Sequence, residues 1–204
     1  MIPVFNEIAD KVSKASIPPR ILLSKFRFID ETSKYSRECL DPSYLPFYYY
    51  LGTKCPCKNL LEIGFGIGLN AACYLMGSPK TENYLTIQEP QDTYYSTRMG
   101  VANIKQVWRQ PFYAHVGHLH DEVFVSKMRE HKWDVVIINE KKDYDTHLLW
   151  LNTIWDEVRD GGLIFIDNTT LHHQTKRAYD DFCIIKNRNK YVFDTRYGVG
   201  VLIR

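Results

Sequence analysis

Three glycines within seven residues, Glu62-Ile63-Gly64-Phe65-Gly66-Ile67-Gly68, form the stretch of this sequence best suited to holding a ligand. Leu60-Leu61-Glu62-Ile63 has the character of a buried strand, and Leu69 to Met76 that of a helix. Glycines between them permit a tight turn and a close approach of backbone to ligand, with the first N–H groups of the helix aimed at it. The spacing Gly64-x-Gly66-x-Gly68 differs from the Gly-x-Gly-x-x-Gly of nicotinamide-dinucleotide turns, because Leu69 stands where their last glycine belongs. Glu62 sharpens that difference, since a carboxylate there suits a ligand ending in a cationic amino acid, which a dinucleotide lacks. About twenty residues beyond Gly68, the apolar run Tyr84-Leu85-Thr86-Ile87-Gln88 ends in Glu89, placed to accept both hydroxyls of a ribose. The chemistry implied is recognition of a nucleoside with a charged amino-acid end.

Positioning these residues requires a parallel sheet. From Asn59 onward, short apolar runs alternate with amphipathic stretches, the rhythm of βαβ units. Strands are expected at Leu60–Ile63, Tyr84–Gln88, Tyr113–Val116, Val135–Ile138 and Leu163–Ile166. Helices are expected from near Leu69, Asp92, Leu119 and Tyr144, and from about His172 to Lys186. Tyr191–Arg196 and Gly198–Ile203 alternate in polarity and are joined almost without a loop, which predicts an antiparallel hairpin. Ahead of this region Phe5, Ile8 and Val12 share one helical face between Phe5 and Ala15, and Pro18-Pro19 stop that helix. The stretch through Phe26 and Tyr35 to Asp41-Pro42 is poorly periodic, and the aromatic run Tyr44 to Tyr50 reads as a helix covering the sheet with several rings buried.

Composition narrows the function classes. At 204 residues, 45% hydrophobic and 25% charged, the chain has the composition of a folded globular protein, and one domain is expected. Lys and Arg number 26 against 24 Asp and Glu, a net charge of +2, so no global field favours a nucleic acid or a membrane as partner. The five cysteines include the triplet Cys55-Pro56-Cys57, whose spacing fits neither a common zinc site nor a redox pair; Cys55, Cys57, Cys73 and Cys183 are read as structural thiols. The N-terminus lacks a basic segment followed by an apolar one, and no apolar run reaches membrane-spanning length, so a soluble, cytoplasmic protein is expected. The apolar face of the N-terminal helix could serve a homo-oligomer interface as readily as a lid.

The Glu62–Gly68 turn, Glu89 and the closing Tyr197-Gly198-Val199-Gly200-Val201-Leu202-Ile203 together resemble class I S-adenosylmethionine-dependent methyltransferases, over roughly Asn59 to Arg204. The resemblance implies an α/β fold, a Rossmann-like doubly wound seven-stranded sheet, mostly parallel with its last strand antiparallel. It divides the chain into an N-terminal helical extension or lid, residues 1–58, and an S-adenosylmethionine-binding domain, residues 59–204. It also implies that Glu62, Gly64, Gly66, Gly68 and Glu89 hold the cofactor. His118 occupies the position after Gly117 where the family often carries an acid for the adenine amino group.

A narrower resemblance is to the catechol O-methyltransferase-like branch and the related small-molecule and sugar O-methyltransferases. Those enzymes hold Mg²⁺ with an Asp after strand four and an Asp-Asn pair after strand five. Asp167-Asn168 matches the pair, Asn139 stands in place of the first Asp, and Lys142 falls at the catalytic lysine. The activity implied is O-methylation of a small-molecule or sugar hydroxyl, an in-line displacement that needs positioning and help in removing the acceptor proton. Mg²⁺ held by Asn139, Asp167 and Asn168 would lower the acceptor pKa and Lys142 would take the proton; in a metal-free enzyme His172 or His173 could act as base. Two alternatives are a metal-independent methyltransferase of another acceptor and an S-adenosylmethionine- or S-adenosylhomocysteine-binding protein with a degenerate catalytic site. No Asn-Pro-Pro-Tyr type motif follows the fourth strand, which weighs against amino-group transfer to nucleobases or glutamine.

Overall fold

A computed structural model describes residues 2–14, 22, 24–26, 44–90, 94–140 and 142–204. The expected helix stop at Pro18-Pro19, the stretch at Asp41-Pro42, and Lys141 lie outside them. The chain divides into two compact units, Met1–Cys57 with Phe65–Thr81 and Asp92–Pro111, and Lys58–Gly64 with Glu82–Gln91 and Phe112–Arg204.

The second unit contains one seven-stranded sheet built from β1 (Asn59–Ile63), β2 (Asn83–Gln88), β3 (Tyr113–Val116), β4 (Trp133–Ile138), β5 (Val158–Asp167), β6 (Tyr191–Phe193) and β7 (Val199–Ile203). Its order is β3-β2-β1-β4-β5-β7-β6. The first five strands pair in parallel, and β7 runs antiparallel to both β5 and β6. The order therefore grows outward in both directions from β1, and reverses between β1 and β4. This is the Rossmann-like arrangement expected from the sequence.

Period-two alternation sends Leu61, Ile63, Leu85, Ile87, Val136, Ile138, Ile164 and Ile166 to one face. There they pack with Phe124 and Met128 of α5 (Glu122–Met128), Trp150 and Ile154 of α6 (Tyr144–Trp155), and Phe182 of α7 (His173–Ile185). On the opposite face Leu60, Tyr84, Val135, Ile137 and Phe165 are buried too. Burial on both faces is why these strands read as nearly unbroken apolar runs.

The first unit holds α1 (Ile2–Ser13), α2 (Leu45–Lys54), α3 (Leu69–Gly77) and α4 (Tyr94–Val107). Phe5, Ile8 and Val12 are all buried, with α1 packed on α2, so the apolar face proposed for an interface is consumed within the chain. The aromatic run forms α2, with Phe47 and Tyr48 buried. Helices α2 and α3 meet at backbone distance: a Cβ on Gly52 would lie 2.1 Å from the Tyr74 carbonyl oxygen, and one on Gly77 would lie 2.2 Å from that of Tyr49. Cys55, Cys57, Cys73 and Cys183 are buried free thiols, and burial pushes Cys55 up to about 11, the behaviour of inert structural cysteines.

Local boundaries differ from expectation for identifiable reasons. Helix α5 starts at Glu122 rather than near Leu119, because the Asp121 carboxylate takes the His118 N–H at 2.8 Å and closes a turn first. β5 starts at Val158 rather than Leu163, because Arg159, Asp160 and Gly161 bulge outward between two paired segments, with Gly161 at φ +74°. The terminal strands are separated by a turn at 194–198 instead of following almost directly: the Gly198 N–H donates to Thr195 at 3.1 Å, and Gly198 has φ +73°. No helix among the described residues is long and apolar enough to cross a membrane.

Gly52→Ala forces a methyl into the Tyr74 carbonyl and should cost about 1–3 kcal/mol in chemical denaturation. Leu149→Ala, on the exposed side of α6, should stay within about 0.5 kcal/mol.

Candidate active site at the strand-order reversal

The C-terminal end of β1 is held from both sides. The Gly64 N–H donates to the Ile87 carbonyl of β2 at 3.0 Å, and the Asn139 N–H, just past β4, donates to the Ile63 carbonyl at 2.8 Å. Gly64 has φ +90°, and a Cβ there would lie 2.4 Å from the Asn139 carbonyl oxygen and 2.5 Å from Cγ of Glu140. Only glycine meets both requirements.

Glu62 is fully buried. Its Oε2 accepts the Tyr84 hydroxyl at 2.5 Å and the Thr86 hydroxyl at 3.4 Å, both from β2, where Thr86 is its register partner. Burial, with the Glu62 charge beside it, pushes the Tyr84 phenol well above its usual range, which keeps it a donor. The carboxylate expected at a ligand's cationic end thus also ties β1 to β2.

In the first unit, Gly66 (φ +50°) and Gly68 (φ +71°) continue the turn, with the Gly68 N–H bonded to the Phe65 carbonyl at 2.8 Å. A Cβ on Gly66 would touch nothing within 4 Å, so there is open space where its side chain would stand. Gly68 backs onto α4, where its Cβ would lie 2.9 Å from the Gly100 Cα, and Asn103 of α4 donates to the Ile67 carbonyl at 3.0 Å. Asn70, in the first turn of α3, was not singled out by the sequence reading. It is 2% exposed, and among the described residues neither its amide oxygen nor its amide nitrogen has a hydrogen-bond partner. A polar residue one turn into the helix is a weak signal by itself; its burial without partners makes it a candidate ligand contact.

Glu89 sits just past β2, and its Oε2 lies 3.0 Å from Nζ of Lys142, in the loop after β4. Lys142 is also 3.8 Å from Glu140, which accepts from the Gln88 amide at 3.0 Å. The structure thus brings together an expected ribose acceptor and an expected catalytic lysine. His118, half-exposed in the turn after β3, has Nδ1 3.9 Å from Glu89. Its backbone N–H is fixed by Asp121, whose other partner is His115 Nε2 at 2.9 Å; these two hydrogen bonds, His115 first, hold the Asp121 carboxyl below its usual range.

The register that pairs Ile138 with Ile166 carries Asn139 and Asp167 to the same edge one residue later. Asp167 is buried, its Oδ1 accepts the Asn168 N–H at 2.7 Å, and Asn168 has φ +66°. His172 caps α7: its Nδ1 lies 2.8 Å from the Thr175 hydroxyl and 3.3 Å from the Thr175 backbone nitrogen. His173 is exposed in the first turn of α7.

No protein-family model matches the sequence, and no curated protein matches it. Solved structures do. An O-methyltransferase from Bacillus cereus in complex with S-adenosylhomocysteine is 14% identical, with a TM-score of 0.62 and 100% of each chain covered. An O-methyltransferase of tomaymycin synthesis from Streptomyces achromogenes, in complex with S-adenosylmethionine, is 14% identical, with a TM-score of 0.59 over 94% of this chain and 88% of that one. A Podospora anserina methyltransferase bound to S-adenosylhomocysteine is 16% identical, with a TM-score of 0.60 over 94% and 86%. At these identities the likeness is one of fold. The chain has the Rossmann-like fold of class I S-adenosylmethionine-dependent O-methyltransferases.

His147, buried in α6, supplies a pH test of this region. Burial is the main cause that lowers its imidazole from 6.5 to about 4. Between those values the unfolded chain binds a proton that the folded chain refuses, so stability is complete above about pH 6.5 and falls as pH drops toward 4. Denaturation at pH 7 and pH 5 should differ by about 2 kcal/mol from this residue, and His147→Gln should remove that share. An unchanged difference in the variant would show that His147 is not the group responsible.

Proposed function

We propose that this protein is an S-adenosylmethionine-dependent methyltransferase that transfers a methyl group to a hydroxyl of a small molecule. The observation that carries the reading is the 3.0 Å pairing of Glu89 with Lys142 at the reversal of strand order. Open α/β sheets bind ligands at that crevice, and here it presents a carboxylate suited to a ribose beside an amine suited to an acceptor proton. That solved structures of similar fold carry S-adenosylmethionine or its demethylated product supports the same cofactor here.

Glu89 accepts the ribose hydroxyls, His118 lies along the adenine edge, and the glycine turn receives the amino-acid end. Glu62 contributes its charge to that end while its Oε2 stays with Tyr84 and Thr86. The methyl then leaves the sulfonium for the acceptor oxygen in line and the sulfur keeps the bonding pair; Lys142, once the ribose has taken Glu89 from it and its ammonium has lost a proton to solvent, accepts the hydroxyl proton as the neutral amine. We place His172 at the start of α7 rather than in the transfer, because its Nδ1 is engaged by Thr175.

Mg²⁺ fits this donor set poorly. Asp167 brings one carboxylate, Asn139 and Asn168 bring neutral amides, and among the described residues no three His, Cys, Asp or Glu side chains cluster as metal ligands. The amide oxygens could coordinate a hard dication without neutralising it, and the proposed transfer uses Lys142 alone.

Calorimetric titration with S-adenosylhomocysteine should show saturable binding with the same affinity in Mg²⁺ and in EDTA. Glu89→Ala should weaken it by about 1.5–3 kcal/mol, the loss of hydrogen bonds to a charged acceptor. Absence of saturable binding by the unmodified protein would remove the methyltransferase reading, and unchanged affinity in the variant would remove Glu89 from the site.

A further inference from the structure

Lys142 is held in place by a buried histidine that the proposed chemistry does not use. The Lys142 backbone N–H lies 3.3 Å from Nε2 of His147, and the same Nε2 is 2.8 Å from the Thr175 hydroxyl. That hydroxyl is in turn 2.8 Å from Nδ1 of His172, which lies 3.3 Å from the Thr175 backbone N–H. His172 itself donates its backbone N–H to the Asn168 carbonyl at 2.9 Å. A single hydrogen-bonded chain therefore runs from the loop after β4, which carries Lys142, to the loop after β5, which carries Asp167 and Asn168.

Proton counting restricts this chain. Thr175 has one hydroxyl proton and two histidine nitrogens within reach of it. If that proton goes to His147, Nε2 is a bare acceptor, the Lys142 N–H is satisfied, and His172 must donate from Nδ1 to the hydroxyl oxygen; the Thr175 N–H then loses its cap. If the proton goes to His172, the cap is kept, but His147 must present Nε2–H to the hydroxyl oxygen, and that hydrogen faces the Lys142 N–H. One end of the chain has to yield. His147 is 1% exposed and His172 is partly exposed, so solvent can replace a partner at His172 and cannot at His147, where the Lys142 N–H directed at Nε2 requires a bare nitrogen. The hydrogen then sits on Nδ1, a buried atom without a hydrogen-bond partner among the described residues, at a cost that the two contacts at Nε2 must offset.

We propose that His147 is a positioning residue for Lys142: as the neutral tautomer protonated on Nδ1, it uses Nε2 to hold the Lys142 backbone and, through Thr175, ties that loop to the start of α7. The Asp143 carboxylate fixes the next residue of the loop by capping α6 at Thr146, 2.9 Å away, so the His147 contact sets where the Lys142 side chain leaves the backbone. This inference rests on the reading in which Lys142 serves the transfer, while its test does not depend on turnover.

Nitrogen-15 NMR of the histidine side chains of the full-length protein at pH 7 should show His147 as the Nδ1–H tautomer with an unprotonated Nε2. Thr175→Val should shift the His147 Nε2 resonance. Amide exchange should find Lys142 protected, with His147→Gln retaining that protection because its amide reaches the same point, and His147→Phe speeding Lys142 exchange at least tenfold. An Nε2–H or doubly protonated His147, or Lys142 exchange as slow in the His147→Phe variant as in the unmodified chain, would overturn the proposal. Titration of the unmodified protein with S-adenosylhomocysteine separates the two readings: failure to bind removes the methyltransferase assignment, while the tautomer and exchange results still decide the role of His147.

Discussion

The closure of β1 against β4 at Gly64 is the constraint on which the site depends. Asn139 can donate to Ile63, and Glu140 can cross the end of the strand, only because residue 64 has no Cβ and accepts φ +90°. Any side chain there would part the two strands where the sheet order reverses, and the separation would carry Glu140 and Lys142 away from Glu89. A local backbone requirement thereby fixes the distance between groups more than fifty residues apart in sequence.

Buried polar groups in the sheet serve the same end. Glu62 in the middle of a parallel sheet is costly unless hydrogen-bonded, and Tyr84 and Thr86 meet that demand at its Oε2 from the neighbouring strand. Their hydroxyls bind β2 to β1 by side chain as well as by backbone, immediately below the residues proposed to hold the nucleoside. The His147–Thr175–His172 chain does the equivalent on the other side of the reversal, between α6 and α7. Rigid support of this kind matters for displacement chemistry, where small errors in alignment are expensive in rate.

Much of the fold was legible in the sequence, because burial on both faces leaves apolar runs such as Val135–Ile138 and Leu163–Ile166 that are too short for helices. What escaped were features set by contacts between distant segments. The Arg159–Gly161 bulge is invisible without the β4 register, and Asn70 looks like any polar residue at a helix start until its burial is known. Glu62, Gly64 and Glu89 could be singled out because the turn, the strand end and their spacing are local. The engagement of Glu62 by Tyr84, of Lys142 by Glu89 and of His147 by Thr175 could not, since each depends on the packing of separate elements.

The central claim is that the reversal point binds an S-adenosyl nucleoside through Glu89. A crystal structure of the S-adenosylhomocysteine complex tests this most directly. The account predicts both ribose hydroxyls on the Glu89 carboxylate and the amino-acid end at the glycine turn from Gly64. A nucleoside bound elsewhere, or a ribose that makes no contact with Glu89, would contradict it.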